Sequence, residues 1–101
     1  MAVTQVTTED FLREVIRCDK KVLVDFWAPW CTPCRMLAPT LEQLAADRQD
    51  VKFVKVDVDK DYELAKAYRV ISIPALVVLE QGKVLSHTVG ARPKDQIEAL
   101  L

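Results

Sequence analysis

The chain has 101 residues, half of them hydrophobic and 29% charged, which suits one soluble domain with a packed core and excludes a disordered segment. Its 14 basic and 15 acidic side chains give a net charge of −1, so no broad positive field is present to attract nucleic acid or an anionic membrane. No run approaches the ~18 apolar residues of a membrane span, and Met1 to Val6 has no basic stretch leading into an apolar one, so a cytoplasmic location is expected.

The two glycines, Gly82 and Gly90, and the lack of any proline- or serine-rich tract leave no linker, repeat or low-complexity segment. A single domain over residues 1–101 is therefore expected. Val3 to Val6 is short and β-prone, and Thr7 stands before Asp10 as an N-cap stands before its returning carboxylate. Phe11, Leu12, Val15, Ile16 and Cys18 then recur at helical spacing and predict a first helix with one apolar face, ending near Asp19. Val22 to Trp27 is apolar on both parities except at Asp25, the pattern of a strand covered on both faces inside a mostly parallel sheet. Ala28 and Pro29 break it. Met36, Leu37, Leu41, Leu44 and Ala45 mark a long second helix to about Asp47, with a kink expected near Arg35 because Pro39 removes a backbone donor and crowds the preceding turn. Lys52 to Val58 alternates as a strand, and Asp61 to Tyr68 follows as a short helix. Ala75 to Leu79 and Lys83 to Val89 flank Gln81-Gly82 as the arms of a tight hairpin, and Pro93 suits the first turn of a last helix carrying Ile97, Leu100 and Leu101. The order βαβαβαββα describes an α/β domain, a central sheet with helices on both sides.

Chemistry concentrates at Trp30-Cys31-Thr32-Pro33-Cys34, where a central strand hands over to a helix. Free backbone N–H groups and the positive end of the helix dipole favour a thiolate at Cys31, the nucleophilic form in disulfide exchange. Cys34 lies one turn further along the same face, near enough to bridge and more shielded, as a resolving thiol must be. Thr32 and Pro33 set the stiffness of the turn. Metal binding is the alternative use of such a pair, but a zinc site takes about four ligands. Cys18 and the lone His87 are the only other soft side chains, and neither completes a second pair.

The run Val24-Asp25-Phe26-Trp27-Ala28-Pro29-Trp30-Cys31-Thr32-Pro33-Cys34 resembles the active-site segment of the thioredoxin family. Pro39 resembles that family's helix-kinking proline, Lys55 its buried lysine, Ile73-Pro74 its cis-proline loop, and Val89-Gly90-Ala91 the loop completing its substrate surface. The likeness spans essentially the whole chain. It implies a thioredoxin fold, with a five-stranded mixed sheet flanked by four helices, and a protein-disulfide reductase working as a monomer through Cys31 and Cys34. It implies no bound cofactor; NADPH reaches the dithiol through a flavin-containing thioredoxin reductase, and the other partners are proteins with reducible disulfides. Trp30, Thr32, Pro33, Ile73, Pro74, Val89, Gly90 and Ala91 correspond to the surface that meets substrate. Thr32 stands where the family usually has glycine, and Ala75 where threonine usually follows the proline. Both changes touch the reacting centre.

Asp25, alone among apolar residues on a buried strand, has a carboxyl whose pKa desolvation raises, which suits proton transfer. The resemblance gives it the proton of Cys34; the alternative is a structural ion pair with Lys55, which would also hold the pKa down. Trp27 and Trp30 are either part of the site or plain core residues. Cys18 reads as a small buried hydrophobe, His87 as a solvated side chain, and Asp57, Asp59, Lys60 and Asp61 as a polar turn without the ligand set or glycine of a calcium loop. Two rivals remain at this level: an oxidase or isomerase whose potential Thr32 raises, and a non-catalytic subunit that binds partners through the apolar rim.

Overall fold

The computed structural model describes residues 2–101; Met1, the first residue of the segment read for a leader, lies outside the described residues. Five strands, β1 (Val3–Gln5), β2 (Lys21–Trp27), β3 (Val51–Asp57), β4 (Ala75–Glu80) and β5 (Lys83–Val89), form one sheet in the order β1-β3-β2-β4-β5. β3 runs parallel to β1 and β2, whereas β4 is antiparallel to both β2 and β5, so the sheet is mixed. β2 lies at its centre, and residues Val22 to Phe26 are all buried, which explains why the strand is apolar on both parities.

Alternation along the strands divides the interior into two layers. Val22, Val24 and Phe26 of β2 and Val54 and Val56 of β3 pack with Phe11, Val15 and Ala65 on one face. On the other, Leu23, Phe53, Leu76 and Val78 lie under Leu37, Leu41 and Leu44 of helix α1 (Thr32–Asp47) and Ile97 of helix α3 (Lys94–Glu98). The short helix α2 (Tyr62–Ala67) belongs to the first layer. Pro39 sits within α1, which stays one element rather than two.

The first predicted helix takes a different form. Leu12–Ile16 is a five-residue π-helical turn, closed by Arg17 N–H donating to Leu12 O at 2.9 Å. Phe11 and Val15 anchor it, while Leu12 turns outward and is half exposed, so the apolar stripe is narrower than helical spacing suggests. Asp10 does return to cap Thr7, its Oδ1 accepting the Thr7 N–H at 2.7 Å. The hairpin turn places Gln81 at φ 49° and Gly82 at φ 80°, the two left-handed positions a tight two-residue connection needs. Pro93 precedes α3 as its N-cap rather than entering its first turn. Leu100 and Leu101 pack against the α1 layer from just beyond it.

Candidate functional site

The carboxyl end of β2 runs through Ala28, Pro29 and Trp30 into the N-terminus of α1, and this handover builds the site. Cys31 is the N-cap of α1, in an extended conformation that turns its sulfur back over the first helical turn. Its Sγ accepts the backbone N–H of Cys34 at 3.3 Å, the arrangement by which a side-chain oxygen caps a helix. A negative sulfur at that position gains from both the N–H and the positive end of a 16-residue helix. Cys31 and Cys34 are joined as a disulfide with Cα atoms 5.2 Å apart. Cys31 is 4% and Cys34 2% exposed, and both pack with Ala28, Trp27, Val58 and Ile73. Pro33, in the first turn, removes an N–H that would have had no partner there. Arg35 Nη1 donates to Pro29 O at 3.0 Å and fastens the loop to the helix.

Two segments distant in sequence complete the surroundings. Ile73-Pro74 is cis, and Ile73 O lies 3.9 Å from Cys31 Sγ. Gly90, at φ 96°, donates its N–H to Pro74 O at 2.8 Å and brings the loop Val89-Gly90-Ala91 beside the proline. Trp30 is 65% exposed, and Val89, Ala91, Thr32 and Pro33 are exposed too. Ile73 is half-buried and Pro74 buried, and the Pro74 carbonyl is taken up by the Gly90 N–H.

Asp25 is 4% exposed on β2, and its Oδ1 has no hydrogen-bond partner among the described residues. Burial pushes its carboxyl up to about 7, against a smaller opposing pull from the charge of Lys55. Lys55 is Asp25's register partner on β3, yet the alternative ion pair between them does not form among the described residues. The Lys55 Nζ lies instead 4.7 Å from the centroid of the Trp27 ring. The two tryptophans thus differ in use: Trp27 is half-buried against the disulfide, and Trp30 projects into solvent.

Several features have no counterpart in the sequence reading. The Trp30 indole N–H donates to Asp59 Oδ2 at 2.7 Å, although the sequence marks Asp59 only as part of a polar turn. That turn is real, because buried Asp57 accepts the N–H groups of Asp59 (2.9 Å) and Lys60 (3.4 Å). A cleft of about 630 Å³ opens beside Trp30, bounded by Val58, Tyr62, Ile71 and Ile73, with Ile71 95% exposed. Its walls join Trp30 to residues between Val58 and Ile73, so no local pattern announces it. Cys18 is a free, half-buried thiol packed against the first layer, and His87 is exposed. Among the described residues no three His, Cys, Asp or Glu side chains gather in a metal-holding group.

A bridged C-x-x-C pair capping a helix at the end of a central strand, with a buried acid on that strand, defines a dithiol–disulfide redox protein. The thioredoxin family model matches residues 2–101. The chain is 45% identical to a thioredoxin of Bacillus subtilis over all of this chain and 96% of that protein. It is 42% identical to one of Porphyra purpurea, covering 100% and 95%, and 44% identical to one of Mycobacterium tuberculosis, covering 92% and 81%. The chain belongs to the thioredoxin family, and is a thiol–disulfide oxidoreductase acting through Cys31 and Cys34.

Proposed function

We propose that the protein is a cytoplasmic, monomeric reductant of protein disulfides, recharged by thioredoxin reductase with electrons from NADPH. The Cys31 thiolate attacks a substrate disulfide, forming a Cys31–substrate bond and releasing one substrate thiolate. Cys34 gives its proton to the Asp25 carboxylate, and the new thiolate attacks the Cys31 sulfur. The Cys31–Cys34 bond forms, the mixed disulfide breaks, and the second substrate thiolate leaves; two electrons have passed to the substrate. Lys55 moderates the acidity of Asp25 by its charge. Trp30, Thr32, Pro33, Ile73, Val89, Gly90 and Ala91, with the backbone beside Pro74, form the surface on which an extended substrate segment docks.

The observation carrying this reading is the Cys34 N–H on Cys31 Sγ at the mouth of α1, which favours the outer sulfur as the anion. Among the described residues no helix is long and apolar enough to cross a membrane. The test is reduction of a protein disulfide by the full chain with reductase and NADPH, and separately with a small dithiol. Cys31→Ser should abolish both; a variant as fast as the parent refutes the nucleophile. Equilibration of the Cys31–Cys34 couple with a glutathione buffer fixes the direction of electron flow, and a strongly oxidising poise refutes the reductant role.

A further inference from the structure

Asp25, Trp27 and Lys55 occupy one face of the sheet. Asp25 and Trp27 stand two residues apart on β2, and Lys55 is level with Asp25 on the neighbouring parallel strand β3. Side chains so placed project to the same side, as does buried Asp57, which is level with Trp27 on β3 and accepts the N–H groups of Asp59 and Lys60, so the Lys55 ammonium stands between the Asp25 carboxylate beside it and the indole and Asp57 one step along. Opposite charge favours the carboxylate, yet Nζ lies over the Trp27 ring and no ion pair with Asp25 forms among the described residues. The indole N–H is buried and donates to nothing among the described residues, which leaves the ring's face, not its polar edge, as what Trp27 offers.

We infer that Trp27 is a positioning residue, whose ring face holds the Lys55 ammonium off the Asp25 carboxylate and keeps that buried acid unpaired. Asp57 is the other carboxylate on this face, and no ion pair joins it to Lys55 among the described residues. Across β4 the register partner of Asp25 is Leu76. The helices on this face are α1, whose inward residues are Cys34, Leu37, Leu41, Leu44 and Ala45, and α3, which buries Ile97 while its Lys94 and Glu98 pair with Asp47 and Arg48 and its Asp95 is exposed. Its Arg35 is exposed and bonded to Pro29, and its Glu42 accepts the N–H groups of Ala2 and Val3. Among the described residues Lys55 is the one charge that shifts Asp25, and where its head rests decides how readily the carboxyl keeps a proton. A paired carboxylate is a weaker base toward the Cys34 thiol than a free one, so the consequence for catalysis rests on the proton-transfer role proposed above.

The test is the titration of the Asp25 carboxyl, followed by carbon NMR in the oxidised full chain, where neither active-site sulfur titrates. Trp27→Leu is expected to lower the midpoint by about one pH unit, the low end of what a newly paired cation produces. Trp27→Phe, which keeps a smaller ring face and serves if the leucine variant folds poorly, should lower it by less. Losing the indole also admits water, which lowers the midpoint with or without Lys55. The deciding comparison is therefore made in the Lys55→Met background, where the tryptophan substitutions should move the midpoint far less. An equal shift in both backgrounds, or no shift in the parent, overturns the positioning role. The acid limb of the reductase rate should follow the titration to lower pH in Trp27→Phe; a shifted titration with an unmoved rate profile instead refutes Asp25 as the base and leaves the positioning intact.

Discussion

Replacing Asp25 by asparagine should favour the oxidised protein over the parent increasingly as pH rises to about 7. In the fold the carboxyl titrates near 7 because burial penalises the charged form, against 3.8 when free. The raised value fixes the sign. Between these two points the native state binds more protons than the unfolded chain, so the stabilisation from the neutral acid is fully present below 3.8 and is lost as pH rises through about 7. Roughly three units at ~1.4 kcal/mol each come to about 4 kcal/mol, a large part of an ordinary domain's total stability. The substituted amide carries no charge at any pH, so burying it adds only a constant. Urea unfolding of parent and variant, both oxidised, at intervals from about pH 4 to about pH 9, measures the difference free of the other carboxyls. The variant's relative advantage should grow by about 4 kcal/mol up to about pH 7 and then level off. A difference constant to within ~1 kcal/mol over the whole range would refute burial as the cause of the raised pKa.

Cys34→Ser should halt the cycle after the first exchange and leave the substrate bound through Cys31, visible as a protein–substrate adduct by mass under non-reducing conditions; free variant alone would contradict the division of roles. Asp59→Ala releases the Trp30 indole from its 2.7 Å bond. Since this contact is exposed, we expect little loss of stability and a KM for protein disulfides raised up to about fivefold, equivalent to ~1 kcal/mol, with kcat unchanged; a lower kcat at constant KM would place Asp59 in the chemistry instead. Gly82→Ala puts a Cβ at φ 80° and 3.2 Å from Ile16 Cγ2, which should cost about 1 kcal/mol or more and lower Tm by several degrees, and a variant melting with the parent would show that the turn adapts freely.

Much of this protein was legible along the chain because periodicity and breakers are local. Val22 to Trp27 could only be a strand covered on both faces, Cys31 and Cys34 could only straddle a helix start, and Gln81-Gly82 could only close a hairpin. The first helix misleads at one position: Phe11, Val15, Ile16 and Cys18 pack against the first layer as helical spacing requires, but in the π-helical turn Leu12 faces outward. Charge alone pairs Lys55 with Asp25. Register does bring them level, yet the ammonium turns to Trp27, a choice set by side-chain geometry across two strands.

The order of elements and the redox pair therefore belong to the sequence by itself, since each depends on residues within a turn or two of one another. The Trp30–Asp59 bond, the cleft beside it, the tie between Gly90 and Pro74, and the unpaired state of Asp25 were decided by the tertiary structure. Each joins segments far apart along the chain, and their relative positions exist only once the sheet has set its strands in order.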